Sequence, residues 1–210
     1  MKEVRVKVTY TEELLGTAAA NEQLYEDFIA SNAPDAPSRK QEIEAHGVKE
    51  VTDKGKTVFP RLSEAELDAM GFEPDDDVPF TWDYQWKGYF KEACGMLRNA
   101  TGTKSSKFTA YKKKIDGLVF VKERKVPLVL PDGAEVGECQ RSLRAETAMG
   151  PRVALAFSET VPAGTTQEFT VQLLQDNMEG ILHEWLDYGS LHGTGQWRNS
   201  GKGRFTVEYL

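Results

Sequence analysis

The order of hydrophobic patterns along this sequence predicts an α+β domain of the ferredoxin-like (RRM-like) βαββαβ class with an acidic N-terminal insertion. Two amphipathic helical patterns alternate with short strand patterns in the order strand, helix, strands, helix, strand. An acidic segment of weak periodicity, residues 35–80, interrupts this order. We expect residues 1–210 to form one domain that carries this insertion, since domains usually span about 100–200 residues.

The first 80 residues predict one strand and two short helices. Apolar residues alternate with polar ones at the start of the chain, as in a strand with one buried face: Val4, Val6, Val8 and Tyr10. Residues 21–30 have helical spacing, and the prolines that follow would end that helix. Within the acidic segment, Ser63 and Glu66 form a capping-box pattern and Gly71 would end the helix that they begin.

The second half of the chain predicts both main helices and the remaining strands. Apolar residues recur at spacings of three and four from Trp86 to Leu97, and again at 178–188. Strand patterns occupy residues 117–121, 126–130, 153–157, 168–174 and 205–209. The turn residues Pro162-Ala163-Gly164 predict a hairpin between the third and fourth of these strands.

The charge distribution separates the chain into an acidic front and a basic middle. The net charge is −7, which by itself argues against a nucleic-acid binder. Residues 1–83 hold 9 Lys/Arg and 19 Asp/Glu, a net of −10, whereas residues 84–125 hold 11 and 3, a net of +8. A local patch of this kind attracts phosphates.

Composition and the N-terminus predict a cytoplasmic protein outside the membrane. No apolar run approaches the roughly 18 residues that a membrane span needs. The chain enters a strand pattern at once, without the pattern of a secretory signal. Cys94 and Cys139 lie far apart, so we expect reduced, structural thiols.

A glycine-rich basic loop at residues 193–204 is the strongest candidate for a nucleic-acid site. Its glycines would allow a ligand to approach the backbone, its cations would bind phosphate, and its tryptophan would stack on a base. The candidate residues are Gly195, Trp197, Arg198, Gly201, Lys202, Gly203 and Arg204. The alternative is a flexible turn with Trp197 in the core.

Two further basic segments are candidates for phosphate contacts. Gly88 within a helical pattern costs about 1 kcal/mol relative to alanine, which suggests close packing or close approach of a ligand beside Lys87 and Lys91. Lys112 and Lys113 belong to a lysine run that would extend the same surface. In both segments the alternative is a solvated face with no binding role.

Taken together, these segments resemble the RAMP superfamily of CRISPR effector backbone and crRNA-processing proteins. The matching motifs lie in order over residues 84–210: Lys87-Gly88, the segment from Arg141 to Arg144, Pro162-Ala163-Gly164-Thr165, and Gly201-Lys202-Gly203-Arg204-Phe205. The resemblance implies an RNA-binding domain in which Lys87, Arg141, Arg144 and the loop face a guide or target RNA. It also implies assembly with further copies, since RAMP proteins stack into filaments. The acidic insertion lies outside the segments that carry the resemblance, which suggests a standalone, phage-borne relative in a host cytoplasm.

The sequence favours binding over catalysis and leaves two alternatives open. A metal-independent endoribonuclease would need a histidine as general acid or base, and His192 beside the loop is the candidate, against a plain polar loop residue. Asp75, Asp76 and Asp77 are more typical of a solvated loop than of a cation site, so we expect no metal and no cofactor. The other alternative is a phage-encoded anti-defence module that binds a protein partner through residues 35–80.

Overall fold

The structure, a computed structural model, describes residues 1–19, 56–147 and 150–210, with their side chains except at residue 19 and residues 143–155. The chain divides into two units. Unit 1 comprises Met1–Leu14, Pro60–Glu135 and Val161–Leu210, and unit 2 comprises Leu15–Phe59 and Val136–Thr160. The predicted helix at 21–30 and the first part of the predicted insertion, residues 35–55, lie outside the described residues.

The described residues form the following elements in chain order. The strands are β1 (Lys2–Tyr10), β2 (Leu14–Leu15), β3 (Ala18–Ala19), β4 (Lys56–Val58), β5 (Phe80–Trp82), β6 (Val119–Val121), β7 (Lys125–Pro127), β8 (Gly137–Thr147), β9 (Gly150–Val161), β10 (Thr166–Leu173) and β11 (Phe205–Tyr209). The α-helices are α1 (Glu64–Met70), α2 (Asp83–Leu97), α3 (Tyr111–Leu118), α4 (Glu179–Asp187) and α5 (Gly189–His192). Three short 3₁₀ helices lie at Ser105–Lys107, Asp176–Met178 and Arg198–Ser200.

The main sheet of unit 1 has the strand order β11-β1-β10-β6, and every neighbouring pair is antiparallel. The central strand β1 pairs with β10 from Lys2↔Leu173 to Thr9↔Thr166 and with β11 from Val6↔Tyr209 to Tyr10↔Phe205. Helix α2 lies between β1 and β6 in the chain, and α4 lies between β10 and β11. This order of strands and helices is the ferredoxin-like arrangement, which confirms the predicted α+β fold class.

The core of unit 1 is aromatic and lies between this sheet and the two main helices. The predicted alternation of β1 holds, since Val6 and Val8 are fully buried. Trp86 of α2 packs on Phe169 of β10, with ring centroids 4.5 Å apart, and on Phe205 of β11 at 5.5 Å. Such aromatic contacts are worth about 0.5–1.5 kcal/mol each beyond the burial of area, so they fix α2 firmly against the sheet.

A buried polar side chain, Gln167, connects the small β5–β7 sheet to the main sheet. Its amide oxygen accepts a hydrogen bond from the Tyr10 hydroxyl at 2.8 Å. Its amide nitrogen donates to the Thr81 hydroxyl at 2.8 Å and to the Val126 carbonyl at 2.9 Å. All hydrogen-bonding atoms of the Gln167 side chain are thus engaged, as a buried amide requires.

The predicted capping box opens helix α1. The Ser63 backbone N–H donates to the Glu66 carboxylate at 3.0 Å, and Gly71 ends the helix at a φ of 81°, a left-handed conformation that favours glycine. Leu67 is buried with Leu62, and the surrounding cluster also includes Val78 and Phe80. The later part of the predicted insertion therefore has a small hydrophobic core of its own.

Three details of the prediction for unit 1 were wrong. Residues 111–118 form a helix, α3, where the sequence predicted none, because only Ile115 of this short segment is fully buried and the lysines before it hide the period. The strand predicted at 117–121 begins at Val119. Met96 belongs to the apolar pattern from Trp86 to Leu97 that predicted the inward face of α2, but it is 52% exposed, whereas Cys94 is buried.

The segment Pro162-Ala163-Gly164 does not connect a hairpin, which corrects the sequence prediction. β9 pairs with β8 and β4, whereas β10 pairs with β1 and β6. The segment is a turn at the end of β1, where the Gly164 N–H donates to the Tyr10 carbonyl at 2.7 Å. Two strands that are adjacent in the sequence thus belong to different sheets.

Unit 2 is a sheet built around the long antiparallel hairpin of β8 and β9. These strands pair from Gly137↔Thr160 to Thr147↔Gly150. β4 runs parallel to β9, and β3 pairs with β4. Gly16 lies where a Cβ atom would meet the Val58 backbone at 2.5 Å, so this position requires glycine for close approach of two chain segments.

No helix in the described ranges is long and apolar enough to cross a bilayer. The two cysteines are free thiols, of which Cys94 is buried and Cys139 is partly buried.

Candidate nucleic-acid interface

The Lys87-Gly88 pair lies on the second turn of α2, and Lys87 is engaged within unit 1. Its ammonium group donates to the Asp116 carbonyl of α3 at 2.7 Å and lies 4.2 Å from the centre of the Phe120 ring. Partial burial lowers the pKa of Lys87, and the nearby Asp116 opposes that shift. Gly88 is exposed, and a Cβ atom there would meet no atom of the described residues within 4 Å. Packing among the described residues therefore does not explain the glycine.

Lys91 lies one turn further along α2 and forms an ion pair with the same aspartate. Its ammonium nitrogen is 2.5 Å from a carboxylate oxygen of Asp116. Both predicted lysines of α2 thus hold the C-terminal end of α3, where cations also interact favourably with the helix dipole. The sequence predicted phosphate contacts for these lysines, and the structure adds that they position α3.

The segment 98–114 is a basic surface without any acidic residue. Its six cations are Arg98, Lys104, Lys107, Lys112, Lys113 and Lys114. Lys107, Lys112 and Lys113 are exposed, and none of the ion pairs among the described residues involves them. We call these six residues the basic segment. It includes the predicted candidates Lys112 and Lys113.

A carboxylate of α4 anchors the basic segment. Glu184 accepts hydrogen bonds from the backbone N–H groups of Lys104 at 2.6 Å and Ser105 at 2.9 Å, and from the Ser105 hydroxyl at 2.6 Å. Trp185 donates its indole N–H to the same hydroxyl at 3.1 Å. Burial acts to raise the pKa of Glu184, but these hydrogen bonds outweigh it, so the pKa is lowered.

The glycine-rich loop closes on itself at its base. Thr194 N–H donates to the Gly203 carbonyl at 2.9 Å, and Gly203 N–H donates to the Glu13 carbonyl at 2.8 Å. A Cβ atom at Gly203 would lie 2.0 Å from the Thr194 carbonyl oxygen, and one at Gly193 would lie 2.6 Å from the Lys202 carbonyl oxygen. Two of the loop's glycines thus permit the close crossing of its two ends.

Two of the loop's cations are paired with carboxylates of unit 1. Arg198 donates to Glu92 of α2 at 2.7 Å, and Lys202 forms an ion pair with Glu13. Arg204 is exposed. These pairs reduce the positive charge that the loop presents to a ligand.

The remaining predicted features of the loop are a bent backbone and an exposed ring. Trp197 has a φ of 57° and is 39% exposed. It therefore does not lie in the core, where the alternative interpretation placed it. Gly195 and Gly201 also have positive φ, 75° and 84°. The tight backbone therefore presents the Trp197 side chain at the surface.

His192 is held by neighbours rather than exposed. Its Nε2 atom lies 3.0 Å from the Glu92 carboxylate, which also binds Arg198. Its ring stacks on Tyr188 with an interplanar angle of 15°. Glu92 therefore connects α2 to both the end of α5 and the loop.

Arg141 and Arg144 lie in unit 2, on β8. Arg144 pairs with Val153 across the hairpin through its backbone, and its side chain lies outside the described residues. The other predicted binding residues belong to unit 1. Helix α2 contacts both of the remaining basic regions, since its Lys91 contacts α3 and its Glu92 contacts the loop.

The outward face of the main sheet carries charge pairs between neighbouring strands. Arg5 of β1 contacts Glu168 of β10 at 3.1 Å, and Lys7 contacts the same carboxylate at 3.5 Å. Gln172 donates to Glu3 at 2.9 Å. This face is polar and locally compensated, apart from the exposed ring of Phe120 on β6.

The acidic triplet at 75–77 takes part in local contacts. Asp76 accepts from the Glu73 N–H at 2.9 Å, and Asp77 binds Arg61 at 2.7 Å. Among the described residues there is no group of three or more His, Cys, Asp or Glu that could hold a metal ion.

One cluster, at the start of α2, was not predicted from the sequence. The rings of Trp82 and Tyr84 lie nearly parallel, with an interplanar angle of 15°, and the Arg124 guanidinium lies over both. The Trp-x-Tyr spacing was visible in the sequence, but Arg124 is 40 residues away, so only the pairing of β5 with β7 reveals the cluster.

No family model matches the sequence, and no curated protein does. Among solved structures, a chain of the Type III-B Cmr-beta complex bound to cognate target RNA is similar, with a TM-score of 0.51 and 10% identity over 100% of this chain and 61% of that chain. This chain thus spans about three fifths of the length of that relative. A chain of a Type IV-B CRISPR complex has a TM-score of 0.47 and 11% identity, covering 100% and 90%. The first similarity shows that this chain shares its fold with a chain of a CRISPR complex.

Proposed function

We propose that this chain is a non-catalytic, RAMP-like RNA-binding module that binds the phosphate backbone mainly through the basic segment. The observation that carries the proposal is a run of six cations without an acidic residue, at least three of which remain exposed outside any ion pair among the described residues. Exposed cations of this kind neutralise phosphates and release counterions, which drives binding to nucleic acids.

The position of the lysines on α3 supports a binding role. Lys112, Lys113 and Lys114 lie in the first turn of the helix, where the helix dipole disfavours cations by roughly 0.3–1 kcal/mol each. The residue before the helix, Ala110, has a φ of 50°, which is also unfavourable for a non-glycine residue. A sequence selected for stability alone would place acidic residues here.

The glycine-rich loop and the α2 motif contribute to the proposed surface in different ways. Arg204 and Trp197 are the loop residues suited to contact RNA, since both are exposed. Arg198 and Lys202 hold the loop to Glu92 and Glu13, and Gly195, Gly201 and Gly203 allow its backbone to turn. Lys87 and Lys91 hold α3 in place beside Gly88. Arg141 and Arg144 of unit 2 remain proposed contacts on the resemblance to RAMP proteins.

The test compares two triple variants of equal charge change in binding to labelled single-stranded RNA. Lys107→Ala/Lys112→Ala/Lys113→Ala removes three exposed cations of the basic segment, and Arg5→Ala/Lys7→Ala/Lys122→Ala removes three cations that pair with carboxylates on the outward sheet face. We expect the first variant to weaken binding at least tenfold and to reduce the slope of log K against log salt by about 2, at about 0.7 per lost contact. The second variant should bind nearly as well as the wild type.

Stability serves as the control for the fold. Removing lysines from the first turn of α3 relieves repulsion with the helix dipole, so the first variant should unfold at the same or a higher urea concentration. A sheet-face variant that loses as much affinity as the first variant would place the site on the sheet. If the wild type binds no RNA, the alternative is a phage-encoded anti-defence module that binds a protein partner through residues 35–80. Capture of a protein partner that survives nuclease treatment would support the protein-interaction part of this alternative.

The geometry of His192 supports a structural role over a catalytic one. Its Nε2 atom is engaged by Glu92, and its ring stacks on Tyr188. A His192→Ala variant tests the endoribonuclease alternative directly: cleavage of RNA by the wild type that this variant abolishes would replace the binding proposal with a catalytic one.

A further inference from the structure

The aromatic cluster at the start of α2 has a fixed geometry. The Trp82 and Tyr84 ring centroids are 6.2 Å apart, at an angle of 15°. Two contacts hold the backbone at Trp82. Its backbone N–H donates to the Gln85 side chain at 2.8 Å, and Trp82 pairs with Lys125 across β5 and β7. The two rings are therefore oriented before any ligand binds.

A cation completes the cluster. The Arg124 guanidinium carbon lies 5.2 Å from the centre of the Trp82 ring and 5.8 Å from that of Tyr84. Asp83 forms an ion pair with Arg124 and so fixes its direction. The Arg124 side chain is nevertheless 65% exposed. A planar guanidinium beside two aromatic rings is an arrangement that stacks well with other planar π systems.

Tyr84 is the most exposed aromatic residue in the described part of the chain, at 52%. The core of unit 1 uses the next aromatic residues of α2 instead, since Trp86, Tyr89 and Phe90 are buried. The Tyr84 ring and the Arg124 guanidinium are thus exposed side by side. A flat ligand that stacks on both would cover them.

The surroundings of the cluster favour a ligand that carries phosphates. Lys87 and Lys91 follow Tyr84 at spacings of three and seven residues, which places all three along one face of α2. The region 84–125 has a net charge of +8. An unpaired nucleobase within an RNA strand combines a planar ring with flanking phosphates, and such bases are commonly bound by stacking on aromatic side chains and arginine.

We propose that Trp82, Tyr84 and Arg124 form a stacking site for an unpaired nucleobase of the bound RNA. This inference rests on the proposed function and names the part of the RNA that this surface would recognise. Because stacking depends on the face of the base and not on its edge, the site would accept any of the four bases.

The test separates bases from phosphates. A single-stranded RNA of about 12 nucleotides is compared with a strand of the same length that carries no bases, for the wild type and three variants. We expect the wild type to bind the complete RNA about tenfold more tightly than the abasic strand. Tyr84→Ala should reduce this ratio about fivefold without changing the affinity for the abasic strand, whereas Tyr84→Phe, which keeps the ring, should preserve the ratio.

Trp197→Ala provides the matched aromatic control from the glycine-rich loop. If this variant removes the preference for bases and Tyr84→Ala does not, the stacking site lies in the loop and the inference is overturned. Equal binding of both strands by the wild type also overturns the inference but leaves the proposed RNA binding intact. Failure of the wild type to bind either strand overturns both.

Discussion

Single carboxylates position the basic surfaces of unit 1. Glu92 holds Arg198 and His192, and Glu184 holds the backbone at Lys104 and Ser105. Each carboxylate accepts at least two hydrogen bonds from a segment that is distant in the sequence. These few acidic residues thus fix the positions of the positive segments. A charge count alone records only that they reduce the net positive charge.

The pH dependence of stability should reveal the role of Glu184. Its pKa is lowered in the folded state, so its contribution is present above the ordinary glutamate pKa, near 4.3, and is lost as the pH falls toward the lower folded value. We expect Glu184→Gln to reduce the free energy of unfolding by about 1–2 kcal/mol at neutral pH, because the amide loses charge-assisted hydrogen bonds. The difference should shrink at acidic pH.

Urea unfolding of both proteins at neutral pH and near pH 3 measures this difference. Glu179→Gln on the same helix is the comparison. The hydrogen bond from Lys2 also lowers the pKa of Glu179, but this pair is exposed, so its deficit at neutral pH should be much smaller than that of Glu184→Gln. A deficit of Glu184→Gln that is equal at both pH values would contradict the assigned role.

At the scale of elements, α2 organises the candidate interface. Its inward face packs on the sheet through Trp86, its lysines hold α3, and Glu92 holds the loop. Its glycine at position 88 performs none of these tasks. Gly88 therefore lowers the stability of the helix, and no contact among the described residues compensates for this loss.

Two helical glycines should respond in opposite ways to the same substitution. Gly88→Ala should raise the free energy of unfolding by about 0.5–1 kcal/mol, since the new methyl group meets none of the described residues within 4 Å and alanine favours the helix. Gly189→Ala should lower it by about 1–3 kcal/mol or more, since a Cβ atom there would lie 2.1 Å from the buried Phe205 ring.

Urea midpoints measure both changes, and RNA affinity adds a functional test. If Gly88 is required for close approach of RNA, Gly88→Ala will be more stable than the wild type and will bind RNA more weakly. A stabilised Gly88→Ala protein with unchanged affinity would mean that the glycine has no role in binding.

At the scale of the whole molecule, the net charge of −7 conceals the basic segment. The Debye length is about 8–10 Å at ordinary salt, so an RNA strand on the basic segment interacts mainly with the charges close to it. The sign of the local patch, and not that of the whole chain, should determine the response of binding to salt.

We therefore expect RNA affinity to fall steeply with salt despite the acidic composition. Three phosphate contacts would reduce the affinity about twentyfold between about 50 and 200 mM salt. Binding titrations at several salt concentrations give the slope, and unfolding curves at the same concentrations control for changes in the fold. Affinity that is constant across this range would exclude phosphate contacts as the main source of binding.

The fold class could be predicted from the sequence because its main elements have strong, local patterns. β1, α2 and α4 each bury one face, and the alternation or helical spacing of apolar residues records that face directly. α3 could not be predicted in this way, since a helix of eight residues with one fully buried side chain has no visible period.

The sequence by itself determined which residue types were available for binding: the basic middle of the chain, the glycine-rich loop and the Lys87-Gly88 pair. Only the tertiary structure decided how each is used, because the partner of a charged side chain is set by contacts between distant segments. Lys202 forms an ion pair with Glu13, 189 residues away in the sequence, and Arg198 with Glu92, 106 residues away. Lys112 and Lys113 remain exposed. The same contacts bring Arg124 over Trp82 and Tyr84, a juxtaposition that depends on strand pairing and that no local pattern encodes.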